Sequence, residues 1–207
     1  RTPAKMIPEI QLLHENFSGL SWNKSTQEQF IDKLAQSDFF EGKGSPTDKA
    51  FSARDRINRA PKALGFINLK PHIELTEAGI AFVYGKRPQE IFLRQLLKFQ
   101  LPSPYHVEHQ NIIGTFCIRP YLEILRLVRE LEYITFDEFK IFAVQMTDYH
   151  KFNTIKESIL CFRQGKEENK GQYKRFVNSV WENAILEIHS DRIAAGKTRT
   201  RETNDAS

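Results

Sequence analysis

Between Lys43 and Lys70 the chain carries seven basic residues (Lys43, Lys49, Arg54, Arg56, Arg59, Lys62 and Lys70) against two acids, Asp48 and Asp55. That local surplus of five positive charges (7 − 2) exceeds the net +4 of the whole 207-residue chain. Arginine is the commonest reader of base edges because its fork fits the two acceptors of guanine, and Asn and Ser also reach base edges. Ser52, Arg54, Arg56, Asn58 and Arg59 are therefore candidates for reading bases in a DNA major groove. Lys43, Lys49, Lys62, Lys70 and His72 suit phosphates, whose contacts give affinity and salt dependence rather than sequence choice. The bland alternative is a solvated charged face whose arginines pair with neighbours.

Other chemistries find little support. A metal-dependent nuclease needs an acid, then a second acid and a Lys one residue apart, so that carboxylates hold Mg²⁺ and activate water. Glu138-Phe139-Lys140 supplies the second half of that pattern, but no Asp lies between Asp55 and Asp137. Glu138 also falls just after Thr135, in the first turn of an expected helix, where an acid favours the dipole. His106, His109 and Cys117 have loose ligand-like spacing without a fourth ligand. No phosphate-binding Gly loop, GxSxG elbow or Cys/His nucleophile pair occurs. No catalytic residue, metal or cofactor is expected within these residues.

These side chains need a scaffold. Ala53, Ile57, Ala60 and Leu64 recur at helical spacing, with Arg54, Asn58 and Lys62 off that stripe. Ser45 or Thr47 is expected to open the helix, Pro61 to end or kink it near Arg59 or Ala60, and Gly65 to stop it. FINL and IEL then alternate around Lys70-Pro71-His72, which predicts a hairpin. Thr76 caps a helix to about Tyr84, and Pro88 starts another that carries Ile91, Phe92, Gln95, Leu96 and Phe99 inward. Basic helix, hairpin, then helix is the order of a winged helix-turn-helix.

Upstream, residues 1–22 read as an irregular arm, and Ser25 or Thr26 as the cap of a helix that ends near Phe39. Downstream of a loop at 101–114 everything reads as helix. One stripe is Tyr121, Leu122, Leu125, Val128 and Leu131. A helix capped by Thr135 carries Phe139, Phe142, Ala143 and Met146. Ile155, Ile159 and Phe162 mark a third. After a charged loop at 165–171, Phe176, Val180, Trp181, Ala184 and Ile188 mark a fourth. The expected fold is mainly α with a small β-hairpin. Residues 1–104 form a winged-helix DNA-recognition subdomain with its N-terminal arm. Residues 115–194 form an all-helical subdomain, open to a second winged-helix-like reading, and 195–207 a disordered tail.

Apolar residues make up 40% of the chain, including 16 Phe, which is enough for a buried core. There is no apolar run long enough to span a membrane and no secretory signal. The first residue is Arg rather than Met, which suggests a fragment. Cys117 and Cys161 belong to no paired motif and are expected to be buried free thiols in a reducing cytoplasm.

The strings AFSARDR (Ala50–Arg56), GF (Gly65, Phe66), LTEAG (Leu75–Gly79) and RPQEIFLRQLLKFQLPS (Arg87–Ser103) resemble the N-terminal part of AlwI-type type IIS restriction endonucleases and their strand-nicking relatives. FSGLSW (Phe17–Trp22), the stretch from Arg119 to Asp148 and the lysine-rich loop near Lys170 fit the same pattern. The resemblance implies a bacterial enzyme that recognises a short asymmetric double-stranded DNA site and cuts to one side. It implies a recognition part built from winged-helix subdomains, followed by a separate Mg²⁺-dependent nuclease domain outside this chain. A cytoplasmic monomer bound to DNA is the expected state. A free-standing winged-helix transcription regulator is the alternative, and it would need a dimer surface. A protein-docking module and an intact nuclease are further alternatives.

Overall fold

The structure, a computed structural model, describes residues 2–40, 47–103 and 116–188. It is mainly helical with one two-stranded antiparallel sheet. The chain divides into two compact units, Arg1–Ile113 and Gly114–Ser207. Among the described residues no helix is long and apolar enough to cross a membrane.

The first unit opens with a helix, α1 (Pro3–Phe17), where an irregular arm was expected. Met6, Ile10, Leu13 and Phe17 recur at spacings of four, three and four and are all buried. Pro3 sits at the helix start, where its missing N–H costs nothing. Pro8 lies inside α1 and removes only the bond that would reach Ala4. The buried stripe outweighs that loss.

Helix α2 (Lys24–Ala35) is capped by Asn23, whose side chain accepts the Thr26 N–H at 3.0 Å, rather than by Ser25 or Thr26. It ends four residues earlier than expected. Helix α3 (Lys49–Ile57) is opened by Asp48, whose carboxylate accepts the Phe51 N–H at 2.8 Å. Thr47 is therefore not the cap, and Ser45 lies outside the described residues. Pro61 acts as its chemistry requires: α3 stops at Ile57 and a single turn, α4 (Ala60–Ala63), begins around it. Gly65, at φ +73°, ends that turn.

Strands β1 (Ile67–Asn68) and β2 (Glu74–Leu75) pair with Ile67 opposite Leu75 and Asn68 opposite Glu74. Ile73 also exchanges two hydrogen bonds of 2.9 Å with Gly19 and Leu20, which ties the hairpin to the end of α1. Thr76 caps α5 (Glu77–Tyr84) as expected, accepting from the Gly79 N–H at 3.0 Å while its hydroxyl donates to the Gly65 carbonyl at 2.7 Å. Gly79 is required because a Cβ there would run into the Phe66 carbonyl. The LTEAG string thus has a packing reason: strand end, cap, then close approach of α5 to β1. Helix α6 (Pro88–Lys98) closes the unit, its Phe92 ring 6.3 Å from that of Phe66, which stacks on Phe82 at 4.3 Å.

The second unit contains α7 (Pro120–Leu131), α8 (Phe136–Ile141), α9 (Phe152–Glu168) and α10 (Tyr173–Ile188). The stripe expected on α7 is rotated. Leu127 and Leu131 are buried, whereas Tyr121, Leu122 and Leu125 are exposed. Arg126 explains part of the difference, since its guanidinium lies 3.9 Å over the Phe152 ring and so occupies the packed side. Thr135 caps α8 through a capping box with Glu138. Beyond Ile141 the chain tightens into a 3₁₀ turn, so Ala143 and Met146 are buried from outside the helix. Ile155, Ile159 and Phe162 are buried on α9 as expected. The expected loop at 165–171 is mostly the end of α9. Cys117 and Cys161 are free but exposed, against the expectation of burial. The expected tail at 195–207 and most of the loop at 101–114, with His106 and His109, lie outside the described residues.

Candidate nucleic-acid interface

Helix α3 is built to show one face. Ala53 and Ile57 are buried in the core formed with α1 and α2, and Ala50 is buried as well. Phe51 and Asp55, four residues apart, lie on the opposite side. Arg54 and Arg56 in the last turn complement the helix dipole. Their presence there therefore has a stability reason independent of any ligand.

The structure separates the five base-reading candidates. Arg56 is turned inward: its Nη1 lies 2.5 Å from Glu9 Oε1 on α1, and the two side chains are 18% and 6% exposed. Its guanidinium also rests 5.1 Å over the Phe40 ring. Asn58 accepts the indole N–H of Trp22 at 2.9 Å. Arg54 is half-buried and donates to Gln27 Oε1 at 3.0 Å, and Gln27 donates in turn to the Trp22 carbonyl at 3.1 Å. These three hold α3 in place, and the expectation that the whole arginine cluster projects outward is corrected on that ground. Ser52 is half-buried. Arg59 stands out, 76% exposed, steered by a 2.8 Å pair with Asp55. A surface pair one helical turn apart contributes only about 0.3–0.5 kcal/mol, so a stronger anion displaces it easily.

The phosphate candidates divide similarly. Lys49 pairs with Asp32 at 2.6 Å. Lys70 and His72 are exposed at the hairpin turn and Lys62 is half-buried on α4. None of the last three makes an ion pair among the described residues, and Lys43 lies outside them. The groove between α2 and α3 is charge-balanced, with Lys24, Lys49 and Arg54 facing Glu28, Asp32 and Asp48. Among the described residues, Lys62 and Lys70 make no ion pair, and Arg59 makes only the exposed one with Asp55.

Phe51, a member of the AFSARDR string, also lies on this face. Phe51 is 57% exposed. Its spacing of four before Asp55 and eight before Arg59 marks an outer stripe, the complement of Ala53 and Ile57, and that spacing was available from the sequence.

The half-motif of a nuclease centre has another use. Glu138 is 1% exposed and both its oxygens accept from Arg163, at 2.9 and 3.1 Å, while Oε2 also accepts the Thr135 N–H at 2.8 Å. Burial alone would raise its carboxyl, but the Arg163 and Thr135 hydrogen bonds more than offset this and hold it below the usual range. Lys140 lies over the Phe136 and Trp181 rings. A carboxylate so engaged does not fit a metal ligand. Among the described residues no three His, Cys, Asp or Glu side chains converge to hold a metal ion.

No curated protein matches this chain. The sequence pattern of the AlwI restriction endonucleases does match, over residues 62–202. The match begins within α4, at Lys62, and takes in the hairpin and every described element after it. It covers Lys62, Lys70 and His72 but not Ser52–Arg59, and it lends no support to a free-standing transcription regulator. With about two thirds of its residues inside that pattern, the chain belongs to the AlwI restriction endonuclease family.

Proposed function

We propose that this chain is the sequence-specific recognition region of a type IIS restriction or strand-nicking endonuclease. It grips double-stranded DNA with a winged helix-turn-helix, and a separate Mg²⁺-dependent nuclease domain does the cutting. The α2–α3 pair presents α3 to the major groove, and the β1–β2 hairpin is the wing. Ser52 and Arg59 read bases, with Arg54 at the edge of the contact. Lys49, Lys62, Lys70 and His72 meet phosphates. Arg56 and Asn58 position α3 rather than touch DNA.

The observation that carries this reading is that Arg59, Lys62, Lys70 and His72, which follow one another in sequence from the end of α3 to the hairpin turn, make no ion pair among the described residues beyond the weak Arg59–Asp55 pair. Family membership supplies the need, because a restriction enzyme must find a defined site in duplex DNA.

Selection from a random duplex library with the 207-residue protein tests it. The expected result is one enriched, non-palindromic motif bound with a stoichiometry of one. The three lysines among the phosphate contacts imply that log K falls against log[salt] with a slope of about −2.7. Failure to enrich any sequence, or enrichment of a palindrome bound by two copies, overturns the proposal.

A further inference from the structure

We infer that Phe51 is a specificity-determining residue that packs on the 5-methyl group of a thymine in the recognised site; this rests on the reading of α3 as the groove-entering helix. Phe51 is the largest apolar side chain on the outer face of α3, and at 57% exposed it has little protein around it. No ring or cation lies against it among the described residues, unlike the more exposed Phe136, which carries Lys140 over its ring at 5.3 Å.

Its position is fixed rather than loose. The Phe51 N–H is bonded to the Asp48 carboxylate at 2.8 Å, in the first turn of α3, and the buried Ala50 and Ala53 bracket it on the packed side. In helix-turn-helix docking the N-terminal residues of the second helix reach the base edges. Phe51 is such a residue, beside Ser52 and one turn before Asp55.

The chemistry then selects the ligand. A phenyl ring can neither donate to guanine or adenine acceptors nor accept from cytosine. The one apolar feature of the major groove is the thymine methyl. Arg59 and Ser52 supply hydrogen bonds on the same face, and Phe51 supplies the contact they cannot make.

The test uses the folded chain and the duplex it selects. Each dT of the site is replaced singly by dU, which removes one methyl and leaves every hydrogen-bonding group in place. At one position dU should weaken wild-type binding about fourfold, the usual effect of losing one buried carbon. Phe51→Ala should bind the dT and dU duplexes equally, and Phe51→Leu should retain part of the preference. Because the ring is exposed, both variants should melt within about 2 °C of wild type. If a specific site is found but no dU substitution weakens binding, the Phe51 inference fails while the DNA reading stands. It fails equally if Phe51→Ala keeps the preference, or if the site contains only G·C pairs. If no site is enriched, both fall.

Discussion

Replacing Arg56 and Arg59 by Ala, one at a time, should give opposite phenotypes although the residues lie three apart on one basic segment. Arg56 holds Glu9 at 2.5 Å with both side chains largely buried. Removing one partner of a buried pair costs about 3–5 kcal/mol, and the 18% exposure of Arg56 favours the low end, about 3 kcal/mol. For a unit of roughly a hundred residues that corresponds to a fall in melting temperature of about 10 °C or more. Arg59 is 76% exposed in a one-turn pair, so its loss should cost no more than about 0.5 kcal/mol and shift melting by about 2 °C. DNA binding should reverse the order. Arg59→Ala should weaken binding to the selected duplex by about fivefold to 150-fold, the range for a bidentate base contact. Arg56→Ala, assayed well below its melting temperature, should bind nearly as wild type. Thermal melts by circular dichroism and fluorescence anisotropy give both readouts from the same preparations. A double-mutant cycle with Glu9→Gln should show coupling between positions 9 and 56. If Arg56→Ala leaves melting unchanged and abolishes binding, Arg56 leaves Glu9 to enter the groove and the division of roles is wrong.

Arg163→Ala should destabilise the second unit by about 3 kcal/mol, because it strips both oxygens of the buried Glu138 of their guanidinium donor, and a melt will show it. The Glu138 carboxyl is held below its ordinary 4.5, so its contribution is full above that value and is lost as pH falls through the lower folded one. Wild-type melting temperature should therefore drop on acidification below about pH 4.5, and Glu138→Gln should flatten that part of the profile. Gly79→Ala should destabilise the first unit by about 1–3 kcal/mol, since the new methyl meets the Phe66 carbonyl, a backbone atom that cannot swing aside. Lys70→Ala should leave melting unchanged and reduce the salt slope of DNA binding by about one unit, as read from titrations at several ionic strengths.

Much of the fold was legible because local rules and packing agree. Thr76 and Thr135 are caps in both readings, Pro61 breaks the basic helix, and Gly65 ends the turn after it. The hairpin followed from alternation around a Pro turn. Where the reading missed, a tertiary contact decided. Pro8 argued against a helix at the N-terminus, yet four buried apolar residues at helical spacing formed α1. On α7 the apolar count misplaced the buried face: Leu127 and Leu131 are buried and Arg126 packs on Phe152, while Leu122 and Leu125 are exposed. The candidate site was legible as a segment but not side chain by side chain. Spacing puts Arg59 on the outer stripe and Arg56 off it, but the inward turn of Arg56 is decided by Glu9, 47 residues away in sequence. Trp22 claims Asn58 in the same way. Only the outer stripe of Phe51, Asp55 and Arg59 lay within reach of simple spacing, as the complement of the buried one.

Lysine acylation of the chain, free and bound to its selected duplex, followed by mass spectrometry, reads the proposed contact surface directly. Lys49, Lys62 and Lys70 should each become several-fold less reactive in the complex, with the decrease reversed at high salt. Full reactivity at all three in a complex shown by anisotropy to be saturated would place the DNA on another face and contradict the account.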